Sequence, residues 1–209
     1  MAESVDAIDL GSIVFMAWRF KSSHRHWEIS SAVEHLVYTE IVTSSILVSP
    51  MHIVIPNYIT DVECDDLIDY WKDHKKWHYT YNSNQTKCLS LHRNSDIDSL
   101  TSKVINTCAS LENRRIILNH HAIIKWPKYS SMLPHRDKQD RYSAVLYLND
   151  NFKGGETCLD EYGKVVEIAP VKGSLLVFSN AKHLHWVNEV KKSSRYVVSF
   201  WFVDEIRKN

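Results

Sequence analysis

The sequence predicts a mainly β fold with accessory helices, an α+β chain whose core is a double-stranded β-helix, or jelly roll, with helices packed on one face. Three observations predict it. Beyond Arg115 short apolar or alternating stretches follow one another closely; glycines and prolines such as Gly163, Pro170 and Gly173 stand between them; and the helical patterns after Met51 all come before these strands.

Taken in order, residues 1–50 fall outside that pattern and read as an N-terminal extension. Ile29, Val33, Leu36, Val37 and Val42 are spaced for one amphipathic helix over Glu28 to Val42. The domain proper is expected to occupy 51–209, and Met51 is placed to serve as an internal start. Ile53 to Ile55 predicts a strand. Thr60 and Glu63 form a capping box that opens a helix ending near His74, because Cys64, Leu67, Ile68 and Trp71 then recur along one stripe. Trp77 to Tyr81 reads as a strand and Asn82 to Asn94 as a polar loop. A second helix is expected over Ile97 to Leu111, with Leu100, Val104, Cys108 and Leu111 on one side. Strands are expected at Ile116 to Trp126, Tyr142 to Leu148, Glu156 to Leu159, Val165 to Ile168, Ser174 to Phe178, His183 to Val190 and Arg195 to Val203, with Gly154-Gly155 as a hairpin turn.

Composition narrows the partners. Lysine plus arginine and aspartate plus glutamate number 25 each, so the chain has no net charge with which to hold phosphate backbones unspecifically, and nucleic acid is not expected as a partner. The apolar run Ile13 to Trp18 is too short for a membrane span and lacks the basic residues that open a secretory signal. No membrane partner and a cytoplasmic location are therefore expected. Cys64, Cys88, Cys108 and Cys158 are widely separated, which reads as reduced packing cysteines.

The chemistry concentrates between His135 and Arg195. In a strand, residues two apart share a face, so His135 and Asp137 can converge on one ion while Arg136 points away. A third ligand must come from a strand distant in sequence, and the stretch His183-Leu184-His185-Trp186-Val187 offers two histidines on one face. Two imidazoles and one carboxylate can hold one face of an octahedral ferrous ion and leave three positions open. His120 and His121, being adjacent, face opposite sides and read as structural or surface residues. Tyr196 and Trp201 read as sheet packing.

The text between these residues is more specific than their spacing. Tyr142-Ser143-Ala144-Val145-Leu146-Tyr147-Leu148-Asn149, then Gly154-Gly155-Glu156-Thr157, Pro170 to Phe178, and Arg195 to Trp201, in that order, resemble the 2-oxoglutarate- and Fe(II)-dependent dioxygenases, in particular their prolyl 4-hydroxylase-like branch. The resemblance runs over about 51–203 and is richest over 116–203. It implies that His135, Asp137 and His185 are the catalytic iron ligands, the separation of His185 from Arg195 favouring it over His183. It also implies that Arg195 pairs with the distal carboxylate of 2-oxoglutarate, with Tyr147 contributing its hydroxyl. Met132 stands where relatives often carry tyrosine, and Trp126 replaces an upstream aromatic, commonly tyrosine, so it is expected to line the pocket without donating the tyrosine's hydrogen bond. The implied cofactors are Fe(II), 2-oxoglutarate and O2, with ascorbate supporting activity. The implied reaction is hydroxylation of an unactivated carbon, carbon 4 of a prolyl residue in a peptide or protein, with succinate and carbon dioxide as co-products. The competing readings are an oxygenase of the same superfamily acting on another residue, a small metabolite or nucleic acid, and a non-catalytic jelly-roll module that keeps the metal.

Overall fold

In the computed structural model, residues 52–81, 86–91, 95–112, 115–137, 140–180 and 182–205 are described. The expected extension 1–50, its helix over Glu28 to Val42 and the internal start at Met51 lie outside the described residues. The elements are β1 (His52–Ile55), α1 (Asp61–Asp73), a 3-10 turn (Lys75–Trp77), β2 (Tyr79–Tyr81), β3 (Thr86–Ser90), α2 (Ser95–Glu112), β4 (Ile116–Trp126) and β5 (Met132–His135). There follow β6 (Tyr142–Tyr147), β7 (Lys153–Gly154), β8 (Thr157–Glu161), β9 (Lys164–Ile168), β10 (Leu175–Ser179), β11 (Leu184–Val187), β12 (Val190–Lys191) and β13 (Arg195–Asp204).

The strands form a seven-stranded sheet in the order β1-β10-β6-β13-β4-β3-β2, a four-stranded sheet β5-β11-β8-β9, and a short β7–β12 ladder. All pairings are antiparallel. The central strands of the large sheet are apolar almost throughout because both of their faces are covered. On one face Ala144 and Leu146 of β6, Leu175 and Val177 of β10, and Val198, Phe200 and Phe202 of β13 meet Cys64, Leu67 and Trp71 of α1 and Val104 and Cys108 of α2. On the other face Val145, Tyr147, Leu176, Phe178 and Val197 meet Leu159 of β8 and Ile168 of β9 in the small sheet. The period of two thus sorts each strand between a helix-covered core and the space between the sheets. Burial of each such large side chain contributes about 1.5–3 kcal/mol. The two helices do pack on one face, as expected.

Helix α1 starts where the capping box places it. Glu63 N–H donates to Thr60 Oγ1 at 3.2 Å, and Thr60 N–H donates to Glu63 Oε2 at 2.7 Å. Several boundaries differ from the reading of the sequence. The expected loop over 82–94 contains β3, in which Thr86 and Cys88 are buried and Lys87 is exposed, so a strand with few apolar letters is held by ladders to β2 and β4. Trp77 belongs to the 3-10 turn and not to the following strand. Gly154-Gly155 makes no hairpin: Gly154 pairs with Val190, far along the chain, and both glycines have positive φ. The expected strand from His183 to Val190 divides into β11 and β12.

Cys64, Cys88, Cys108 and Cys158 are all buried and free, in keeping with packing cysteines. Burial pushes the thiols of Cys64 and Cys158 up to about 11 and that of Cys88 up to about 12. Among the described residues no helix is long and apolar enough to cross a membrane.

Thr60→Ala removes the N-cap acceptor of α1 and is expected to cost about 1 kcal/mol. Thermal denaturation followed by circular dichroism should show a fall in Tm of roughly 2–4 °C.

Candidate metal centre

Strand pairing assembles the site. β11 runs antiparallel to β5 with His185 directly opposite His135, and an irregularity in register follows between His185 and Val187. Asp137 lies just past the end of β5, so the shared face of His135 and Asp137 is achieved where the strand runs out and not within it. Arg136 between them is exposed. His135, Asp137 and His185 each offer a ligand atom, and these atoms all lie within 4.8 Å of one another.

The finer geometry suits a cation. His135 Nε2 stands 3.6 Å from Asp137 Oδ1, and His185 Nε2 stands 3.6 Å from Asp137 Oδ2. These separations are long for hydrogen bonds but close to the roughly 3–3.5 Å between atoms that share one divalent ion at about 2.1 Å. His135 Nδ1 lies 2.8 Å from the Leu133 carbonyl and His185 Nδ1 3.4 Å from the His183 carbonyl. A carbonyl only accepts, so each Nδ1 carries the proton and each Nε2 lone pair is left for the centre. Trp201 Nε1–H donates to Asp137 Oδ2 at 3.1 Å and orients the carboxylate. Burial pushes the Asp137 carboxyl up, but His185, His135 and the Trp201 N–H outweigh it and hold the group below its ordinary value. One anionic oxygen ligand and two neutral nitrogens form a donor set that fits Fe(II).

His183, the rival ligand, is fully buried with its Nδ1 3.3 Å from the Asp160 carbonyl, and it is not among the clustered three.

Away from the histidines, the cleft ends at Arg195. This first residue of β13 lies opposite Trp126, the last of β4, and is 2% exposed. Its guanidinium carbon sits 5.4 Å from the ring centres of both Trp126 and Tyr147. Gly155 is needed beside it, since its φ is +69° and a Cβ there would stand 3.2 Å from Arg195 Cδ. Arg195 Nη2–H donates to Thr157 Oγ1 at 3.1 Å, whereas its Nε has no partner among the described residues. Among the described residues no carboxylate lies within ion-pairing distance of it. Burial therefore pulls the guanidinium below its ordinary value, with Tyr147 and Glu156 opposing. A sealed cation of this kind fits an anionic ligand group.

The expected site residues do not all reach the cleft. His135, Asp137, His185, Arg195, Trp126 and Met132 line it. Tyr147 stands behind: it is fully buried, burial pushes its phenol up, and its hydroxyl donates to Thr157 Oγ1 at 2.8 Å. Trp201, read from the sequence as packing, lines the cleft and binds Asp137, and Thr157 and Ser199 were missed as lining residues. The signal for two of them was the period of two, because 195, 197, 199 and 201 share a face of β13. His120 stacks on Trp201 at 5.4 Å and His121 on Phe200 at 5.9 Å, so both serve structurally on opposite faces of β4.

Comparison with known proteins bears on this fold and cleft together. Residues 120–203 match the model of the 2OG-Fe(II) oxygenase superfamily. A stretch of 65 residues is 40% identical to prolyl 3-hydroxylase 2 of Homo sapiens, covering 29% of this chain and only 9% of that much longer protein. Among solved structures, the viral collagen prolyl hydroxylase of Paramecium Bursaria Chlorella virus-1, a 2OG complex, aligns with a TM-score of 0.61 and 18% identity over 75% of this chain and 97% of its own. HygX of Streptomyces hygroscopicus, with nickel, 2-oxoglutarate and hygromycin B bound, aligns with a TM-score of 0.63 and 12% identity over 76% of this chain and 84% of its own. At such identities these structures share the fold. The family match spans the stretch that holds the motifs from His135 to Trp201. The proteins and structures that this chain is similar to include prolyl hydroxylases.

His185→Ala is expected to weaken Mn(II) binding by more than about tenfold, while His183→Ala keeps one site of near-native affinity. Calorimetric titration checks the contrast, and equal effects of the two substitutions would remove His185 from the triad.

Proposed function

We propose that this chain is a 2-oxoglutarate- and Fe(II)-dependent dioxygenase that hydroxylates a prolyl residue of a peptide or protein, with residues 51–209 as its catalytic domain. The observation that carries the reading is the pairing of two features in one cleft: His135, Asp137 and His185 converge at one end, and the buried Arg195, with no carboxylate of the described residues in reach, stands at the other. His135, Asp137 and His185 would hold the iron, which supplies oxygen activation coupled to oxidative decarboxylation of 2-oxoglutarate when both are bound.

The remaining work belongs to the protein. Arg195 binds the distal carboxylate of the co-substrate through charge-assisted hydrogen bonds and so fixes which end of the molecule faces the histidines. Tyr147 acts through Thr157, whose oxygen it helps to orient. Leu133 and His183 carbonyls hold the imidazoles in the tautomer that leaves Nε2 free, and Trp201 holds the carboxylate. The apolar walls from Ile124, Val145, Phe178 and Val187 exclude water from the reacting centre.

Carbon 4 is the position the sequence motifs favour. The 40% identity over 65 residues to a prolyl 3-hydroxylase supports carbon 3 as a second reading. Product analysis of a proline-rich peptide separates the two hydroxyprolines.

Succinate release with Fe(II), 2-oxoglutarate and ascorbate is expected to rise when the peptide is added and to vanish in Asp137→Ala. Peptide-independent turnover would send the search to another substrate, a small metabolite included, and no turnover with metal bound would favour a non-catalytic module. Arg195→Ala is expected to raise the 2-oxoglutarate requirement by about tenfold or more, read from the KM for that co-substrate.

A further inference from the structure

Three residues with hydrogen-bond donors, Arg195, Trp126 and Thr157, line the cleft together, and two of those donors are unsatisfied among the described residues. Trp126 is 6% exposed, and its Nε1–H is buried without an acceptor among the described residues. Arg195 Nε is in the same condition, and the guanidinium lies over the Trp126 ring at 5.4 Å, the two residues being cross-strand partners. The third donor is Thr157. Its oxygen already accepts from Tyr147 Oη and Arg195 Nη2, so its own hydrogen is directed away from both, and the residue lines the cleft.

Buried polar groups in native proteins are almost always paired, so adjacent orphaned donors point to a partner that arrives from outside. An indole N–H only donates, a guanidinium only donates, and Thr157 has spent its acceptor capacity. The complementary group is acceptor-only, with more than one oxygen. An ammonium would leave donors facing donors, and a single hydroxyl has only two lone pairs for three donors.

We propose that the indole N–H of Trp126 donates to the distal carboxylate of the co-substrate beside Arg195, with Thr157 as the third donor, which makes Trp126 a determinant of selectivity for a 2-oxo diacid over a 2-oxo monoacid. The inference rests on the co-substrate reading above and assigns Tyr147 to positioning Thr157. Trp126 is thus more than the pocket wall its aromatic character suggests.

The test is calorimetric binding of 2-oxoglutarate and of 2-oxopentanoate, its analogue without the distal carboxylate, to the Zn(II)-loaded full chain. Trp126→Phe, which keeps a ring but loses the N–H, is expected to weaken 2-oxoglutarate about tenfold and leave 2-oxopentanoate unchanged; Thr157→Val should do likewise. Unchanged affinity for 2-oxoglutarate in Trp126→Phe, or an equal loss for both acids, overturns the assignment. Should that variant fail to fold, the indole N–H spectrum of the 15N-labelled wild type serves instead. One indole resonance should move downfield with 2-oxoglutarate and not with 2-oxopentanoate, and a spectrum that does not distinguish the acids overturns it equally. A wild-type protein that binds neither acid refutes the co-substrate reading itself, before any variant is compared.

Discussion

The antiparallel pairing of β5 with β11 is the constraint on which the rest of the site depends. It sets His135 opposite His185, residues fifty positions apart in the chain, so that the two imidazoles stand with ring centres 4.3 Å apart and planes tilted by 52°. Two neutral rings gain little from such closeness, and a carboxylate between them gains from a shared cation. The ladder sets the distance, and the carbonyls of Leu133 and His183 set the protonation. Asp137 completes the group from a position the strand no longer restrains, where Trp201 of the large sheet takes over its orientation. Each sheet thereby contributes to one carboxylate.

A second division of labour lies in the faces of the large sheet. Even-numbered residues of β13 such as Val198, Phe200 and Phe202 anchor the helices, and of the odd-numbered ones Arg195, Ser199 and Trp201 line the cleft while Val197 joins the core between the sheets. The stability of the domain and the chemistry of the site are thus written on alternate positions of the same strand. A change on the helix side tests packing, and one on the other side tests binding, with little shared between them except the backbone. The left-handed glycine pair at 154–155 is where this separation narrows, because Gly155 touches the stem of Arg195 itself.

Much of this was legible in the sequence, for physical reasons that differ from element to element. β4 was found from end to end because its apolar pattern is long, and α1 because Thr60 and Glu63 announce it chemically. β3 was lost because a strand held by its neighbours needs few apolar letters of its own. That His135, Asp137 and His185 come together, and that Arg195 shares their cleft, was legible from spacing and surrounding motifs. The actual place of Tyr147 was not, since a hydroxyl's partner depends on the register of β6 against β13 and on where Thr157 arrives from β8. Trp201 does pack against the inter-sheet core, as read, and its bond to Asp137 was hidden for a related reason: an indole shows only its packing until the carboxylate beside it is known.

The buried cysteines carry one more implication. A thiol raised to about 11 or 12 holds a thiolate fraction of only roughly one in ten thousand or less at neutral pH, and the thiolate is the form that peroxide attacks. Cys158 sits on β8, one residue beyond Thr157 and on the strand beside His185. The thiol of the strand beside His185 is therefore held in its least oxidisable form, whereas the sulfur-bearing side chain that lines the cleft itself is the Met132 thioether. The low reactivity of these thiols is in this way a property of the packing.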